Sequence, residues 1–157
     1  MNDIAIAVAV HVLAIVWWIG GVAMVTTVLL PAARRFDDAA AGMAMFQRIE
    51  ARFAWHARVA TFLAAASGFY MVAVLRLWPY FSKPEYWWLD AMVFVWTVFT
   101  LVLFVAEPLF VHRWLDRQAA AAPARTLALL QRLHWIALIF SIVTILGAAA
   151  GSHGMTF

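Results

Sequence analysis

Of the 157 residues, 67% are hydrophobic and only 12% charged, and the mean hydropathy is +0.90. Soluble domains carry about 45–50% apolar and about 25% charged residues, so a water-soluble globular domain and a disordered chain are both excluded. No cysteine is present, which removes disulfides, Cys-ligated zinc, iron–sulfur clusters and thiol catalysis.

Four apolar stretches follow in chain order. The first runs from Ile4 to Leu30, with His11 its only ionisable residue, and Pro31 closes it ahead of Arg34 and Arg35. No basic region precedes it and it is too long for a signal core, so it reads as a retained span. Asp37 and Asp38 then introduce a short segment, Ala39 to Arg52, read as an amphipathic extension of the next helix. The second stretch runs from about Phe53 to Leu77, with His56 and Arg58 near its start. Pro79 and Pro84 bracket a turn rich in aromatic residues. The third stretch, Trp87 to Val111, contains Asp90, Glu107 and Pro108. An Ala-rich connector, Gln118 to Pro123, leads to the fourth, Leu127 to Ala150, with Arg132 and His134 close to its start.

Each stretch exceeds the roughly 20 residues that cross hydrocarbon as a helix. None shows the polar alternation of a barrel strand. The fold expected is therefore all-α: a single domain, an integral membrane antiparallel four-helix bundle with helices over about 3–31, 45–77, 86–112 and 125–151.

Cations give the topology. Arg34, Arg35, Arg48 and Arg52 flank the first connection, and Arg113, Arg117, Arg125 and Arg132 the third. The second connection holds only Arg76 and Lys83. The positive-inside rule then puts both termini on the periplasmic side of a bacterial inner membrane. Anionic membrane lipid, not nucleic acid, is the partner that the net charge of +3 implies. Trp78, Tyr80, Phe81, Tyr86, Trp87 and Trp88 read as an aromatic belt. Ala64-xxx-Gly68 and Gly147-xxx-Gly151 are small-residue seams, for packing within the bundle or for a homodimer contact.

Ionisable residues inside spans are costly and so mark candidate sites. At about 1.5 Å per residue, His11 and Met92 each fall roughly 10 Å outward of their span midpoints. Helices one and three are expected to be diagonal partners. His11 and Met92 then form one layer, with a nitrogen and a sulfur that can ligate haem iron from opposite faces. The competing reading is a histidine bonded to a nearby carbonyl and a methionine filling the core. His134, Glu107 and Arg58 fall roughly 12 Å inward of their midpoints, and His56 roughly 15 Å. His56 and His134 are a candidate bis-His pair for a second haem, with Arg58 and Arg132 on its propionates. In the competing reading Arg58 and Glu107 neutralise one another and the histidines sit at headgroup level. His112, beside Arg113, reads as interfacial. His153 is read as solvated or closing over the outer layer. Pro108 is expected to kink the third helix and free carbonyls, which suits a proton path, a ligand or a charge partner.

The run from His11 through Trp17, Trp18, Gly20 and Gly21 to Pro31, Arg34 and Arg35 resembles the opening of the bacterial copper-resistance protein D (CopD) family. It is also similar to the related HemJ-type protoporphyrinogen oxidases. Glu50-x-Arg52 and Gly68 fit the second span, and Trp88-Leu89-Asp90-Ala91-Met92 looks like the HemJ pattern Trp-Leu-His-x-Lys. The resemblance covers about two-thirds of the chain. It implies a small helical membrane protein that binds b-type haem, with His11 at the family's histidine position. Met92 replaces the HemJ lysine and Asp90 its histidine, so protoporphyrinogen oxidation is not carried over. The functions expected are electron transfer between a quinone and a periplasmic redox protein through one or two haems b, copper transport or resistance with His and Met as ligands, or a cofactor-free accessory subunit.

Overall fold

The computed structural model describes residues 2–154, with side chains for all of these except 110–116. The side chains of His112 and Arg113, read above as interfacial, lie outside the described residues. Helix α1 is Asn2–Ala33, α2 is Ala39–Val74, α3 begins at Trp87, α4 is His112–Ala121 and α5 is Pro123–Ser152. No strand occurs among the described residues. Four helices are long and apolar enough to cross a membrane.

Local chemistry sets the ends. The Asp38 carboxylate accepts from the Ala40 amide at 2.9 Å and caps α2, a standard answer to unpaired amides at a helix start. The segment Ala39 to Arg52 is thus one continuous helix with the second span. Beyond Val74 the chain turns through Arg76 and Ser82, both at positive φ. The Asp90 carboxylate fastens this turn by accepting from the Ser82 amide at 3.1 Å. The Ala-rich connector is mostly helix: alanine is the best helix former, so α4 continues to Ala121 and only Ala122 separates it from α5. Pro123 then starts α5, where its missing amide is harmless.

Two helices depart from the α register. In α1, Val25–Leu29 is π-helical, and the Leu30 amide bonds the Val25 carbonyl five residues back. In α3, Leu101–Val111 is π-helical and contains Pro108. Threonines stand within the first stretch and four residues before the second. Thr26 and Thr27 bond the carbonyls of Val22 and Ala23, and Thr97 bonds that of Val93. A hydroxyl that competes for an i−4 carbonyl loosens the helix at that turn.

The core is built from small residues on α2. Ala54, Ala57, Ala60, Thr61, Ala64 and Ser67 are buried, and small side chains let helices approach closely. One cluster gathers Ala14, Trp18, Ile19 and Val22 of α1 with Ala60, Ala64, Val95 and Leu138. A second gathers Val25, Leu29, Leu30 and Ala33 with Met43, Phe46 and Leu127. The opposite faces are apolar too: Leu13, Trp55, Phe62 and Leu146 are among the exposed large side chains. The aromatic turn folds on itself through Tyr80–Tyr86 and Trp78–Phe81 contacts. Both small-residue seams are filled within the chain. A β-carbon at Gly147 would strike Trp87, one at Gly151 would strike Trp88, and one at Gly68 would meet His11.

Candidate functional site

His11 is half-buried on α1 and reaches across to α2. Its Nδ1 lies 2.9 Å from the Ala64 carbonyl and 3.1 Å from Ser67 Oγ. A carbonyl only accepts, so Nδ1 carries the ring proton and Nε2 keeps its lone pair. The ring rests on Gly68, where an added β-carbon would be 3.0 Å from Cε1. A side chain here would crowd the ring. An imidazole held by Nδ1–H to a backbone carbonyl, with Nε2 open, is the arrangement of a metal-ligating histidine.

The other described histidines make the same kind of contact, but within their own helices. His56, His134 and His153 each point Nδ1 at the carbonyl four residues back on their own helix, at Arg52, Leu130 and Ala149. His11 is the one described histidine anchored by a neighbouring helix. An open groove of about 400 Å³ runs beside it between α1 and α2. Its walls include Ile6, Val10, Leu63 and Tyr70, and Ser67 lines it while touching His11.

Met92 is half-buried on α3. Its relation to His11 follows from a third contact. Trp18 meets Phe99 edge-on with ring centroids 4.9 Å apart. His11 stands seven residues before Trp18, and Met92 seven before Phe99. Seven residues are two turns, about 10.5 Å, and return nearly to the same face.

The two inner-layer histidines have different surroundings. His56 is exposed and packs against Trp17, with ring centroids 5.8 Å apart. It flanks the buried stripe of α2, whereas His134 is half-buried on α5. Arg132 is exposed. Arg58 is already engaged: Nη2 lies 3.1 Å from Glu107 Oε1, and Nε donates to the Leu103 carbonyl at 3.0 Å. Glu107 is 7% exposed. Of the two readings of this region, mutual neutralisation of Arg58 and Glu107 is the one the structure shows. His153 is exposed and bonds its own helix. Asp90 serves the turn before α3.

The bond to Leu103 has a local cause. Pro108 has no amide hydrogen. In a π register its partner would be the carbonyl five residues back, which is Leu103. Arg58 supplies the missing donor from α2. The same happens in α1. Pro31 follows the π stretch there, and the carbonyl five residues back is Thr26. Gln131 Nε2, on α5, donates to it at 2.7 Å. Gln131 and the contact of Ser67 with His11 escaped sequence reasoning, which weighed chiefly ionisable residues and methionine. A lone glutamine in an apolar span, with a proline late in another, was the available signal.

Among the described residues no group of three or more His, Cys, Asp or Glu could hold a metal ion. A haem needs only one or two axial side chains, and His11 fits that role. In the inner layer His56 lies off the buried face and Arg58 is paired with Glu107. Comparison with known proteins finds no matching family model, no similar curated protein and no similar solved structure.

Proposed function

We propose that the chain is an integral protein of a bacterial inner membrane, an antiparallel four-helix bundle with both termini periplasmic. It would bind one b-type haem in its outer layer, held by His11 and Met92. It carries electrons between a quinone and a periplasmic redox partner. The observation that carries this reading is the cross-helix anchoring of His11, with its open Nε2.

The arrangement has further support. Along α1 and α2, His11 meets Ala64 and Trp17 meets His56, so one number rises as the other falls. Along α2 and α3, Arg58 meets Glu107 and Phe69 meets Trp96. Neighbours run antiparallel, so α1 and α3 run the same way. His11 and Met92, each two turns from the Trp18–Phe99 contact, then share one level. The outward faces carry large apolar side chains, which suit lipid and not water.

When bound, the haem supplies one-electron redox chemistry. The chain's own residues set its surroundings. Ala64 fixes the His11 tautomer, Gly68 fixes the plane of the ring, and the groove lined by Ser67 offers a quinone an apolar approach to the His11 side. Oxidised and dithionite-reduced spectra of the detergent-purified protein test the reading. A Soret band and one haem per chain are expected, with loss of the band in His11→Ala and a shifted spectrum in Met92→Leu. Colourless protein from haem-replete cells overturns it; copper bound in its place would make this a copper-handling protein, and neither cofactor an accessory subunit.

A further inference from the structure

Five threonines in these helices, Thr26, Thr27, Thr97, Thr126 and Thr144, donate their hydroxyls to the carbonyl four residues back. Thr61 and Thr100 do not. Their Oγ atoms are buried with no hydrogen-bond partner, and so is Trp18 Nε1. Thr61 is 1% exposed. A helical threonine has a partner within its own backbone for the turning of one bond. Two that decline it, beside an indole N–H in the same condition, have their polar atoms directed elsewhere.

These atoms lie in one region. Ahead of the π stretch that carries Leu103 and Glu107, Trp96 and Thr100 of α3 stand one turn apart and share a face. On α2, Arg58 and Thr61 do the same. The two stripes are tied at one end, where the Trp96 indole donates to the Thr61 carbonyl at 3.3 Å. They are tied at the other by Arg58, Leu103 and Glu107. Thr100 falls between the ties. Trp18 belongs to one core cluster with Ala60, the neighbour of Thr61, and packs against Phe99, the neighbour of Thr100.

From this convergence we infer that the seam between α2 and α3 binds a file of internal water, running from the Arg58–Glu107 pair to the level of Trp18. A buried water makes about three hydrogen bonds. Here the indole donates, and each hydroxyl both donates and accepts. The file links the arginine-rich end of the molecule to the middle of its core, within two turns of His11. It stands whether or not a haem binds.

The test is nuclear magnetic resonance of the full chain in lipid nanodiscs, with indole nitrogens labelled and Trp18→Phe used to assign the Trp18 signal. A cross-peak between water and the Trp18 indole proton is expected in the unaltered protein. In the Thr61→Val/Thr100→Val variant that exchange slows by about tenfold or more. Thr61→Ser/Thr100→Ser, which keeps both hydroxyls, retains it. A Trp18 proton that shows no water cross-peak in the unaltered protein overturns the inference without any variant. So does a valine variant that exchanges as fast as the original.

Discussion

Pro31 in α1 and Pro108 in α3 sit at corresponding places, late in a membrane-length helix and at the end of, or within, a π stretch. Each leaves a carbonyl five residues back without its amide. Near Pro31 the replacement donor is Gln131, neutral and 7% exposed. Near Pro108 it is Arg58, whose charge is matched by Glu107. One amide hydrogen suffices to satisfy a carbonyl. The charge at the second place therefore exceeds what the backbone requires. Placing an ion pair where an amide would serve costs desolvation on both partners. Ionised groups at such depth are the usual mark of function in a membrane protein. The difference separates a repair that only holds α1 and α5 together from one that also sets the polarity of the α2–α3 seam.

The largest effect is expected from Arg58→Met, which removes the carbonyl's donor and breaks the ion pair with Glu107. Breaking a buried pair on one side costs about 3–5 kcal/mol. The low end applies here, because 28% of the Arg58 side chain is exposed. Thermal unfolding in detergent should show a large drop in Tm. Adding Glu107→Gln should recover part of it, since the carboxylate no longer needs a partner. A double variant as unstable as Arg58→Met alone would mean that the lost carbonyl donor, and not the stranded charge, governs the cost.

At the neutral site the effect is smaller and the logic cleaner. Gln131→Leu strands the Thr26 carbonyl, and an unsatisfied buried acceptor costs about 1–3 kcal/mol. If Pro31 is the reason for that carbonyl's need, the cost should shrink in a Pro31→Ala background, where the chain regains its own amide. A double-mutant cycle on unfolding free energies measures this coupling. Costs that simply add would show that Gln131 packs against α1 for some other reason.

Why one repair was legible and the other was not is a matter of phase. Apolar length located all four long helices, and the prolines marked where two of them change. Charge made Arg58 and Glu107 conspicuous, and their pairing was one of two readings. Gln131 carries no charge and passed as one polar residue in an apolar run. Depth along a helix was also readable, since it needs only a count of residues. Direction around the helix was not. His56 stands beside Ala57, yet Ala57 is buried and His56 exposed. In a helix apolar on every side, polarity does not signal which face meets the core. The buried stripe of α2 is set by size instead, through Ala54, Ala57, Ala60 and Ala64. The proposed bis-His pairing depends on that direction, whereas the level proposed for His11 and Met92 depends on residue spacing about the Trp18–Phe99 contact.

The smallest predicted effect sharpens the comparison further. Arg58→Lys keeps the positive charge but gives up the planar fork that serves Leu103 through Nε and Glu107 through Nη2. An ammonium is a point donor and can favour the carboxylate over the carbonyl. With the ion pair kept and the carbonyl bond weakened, the loss should be about 1 kcal/mol, the net worth of one hydrogen bond. That is well below the cost of Arg58→Met. Tm shifts for the two variants, measured in the same detergent, give the ratio directly. A lysine variant as unstable as the methionine one would show that the fork itself, bridging a proline-broken helix to its counterion, is what α3 requires, and that charge alone cannot replace it.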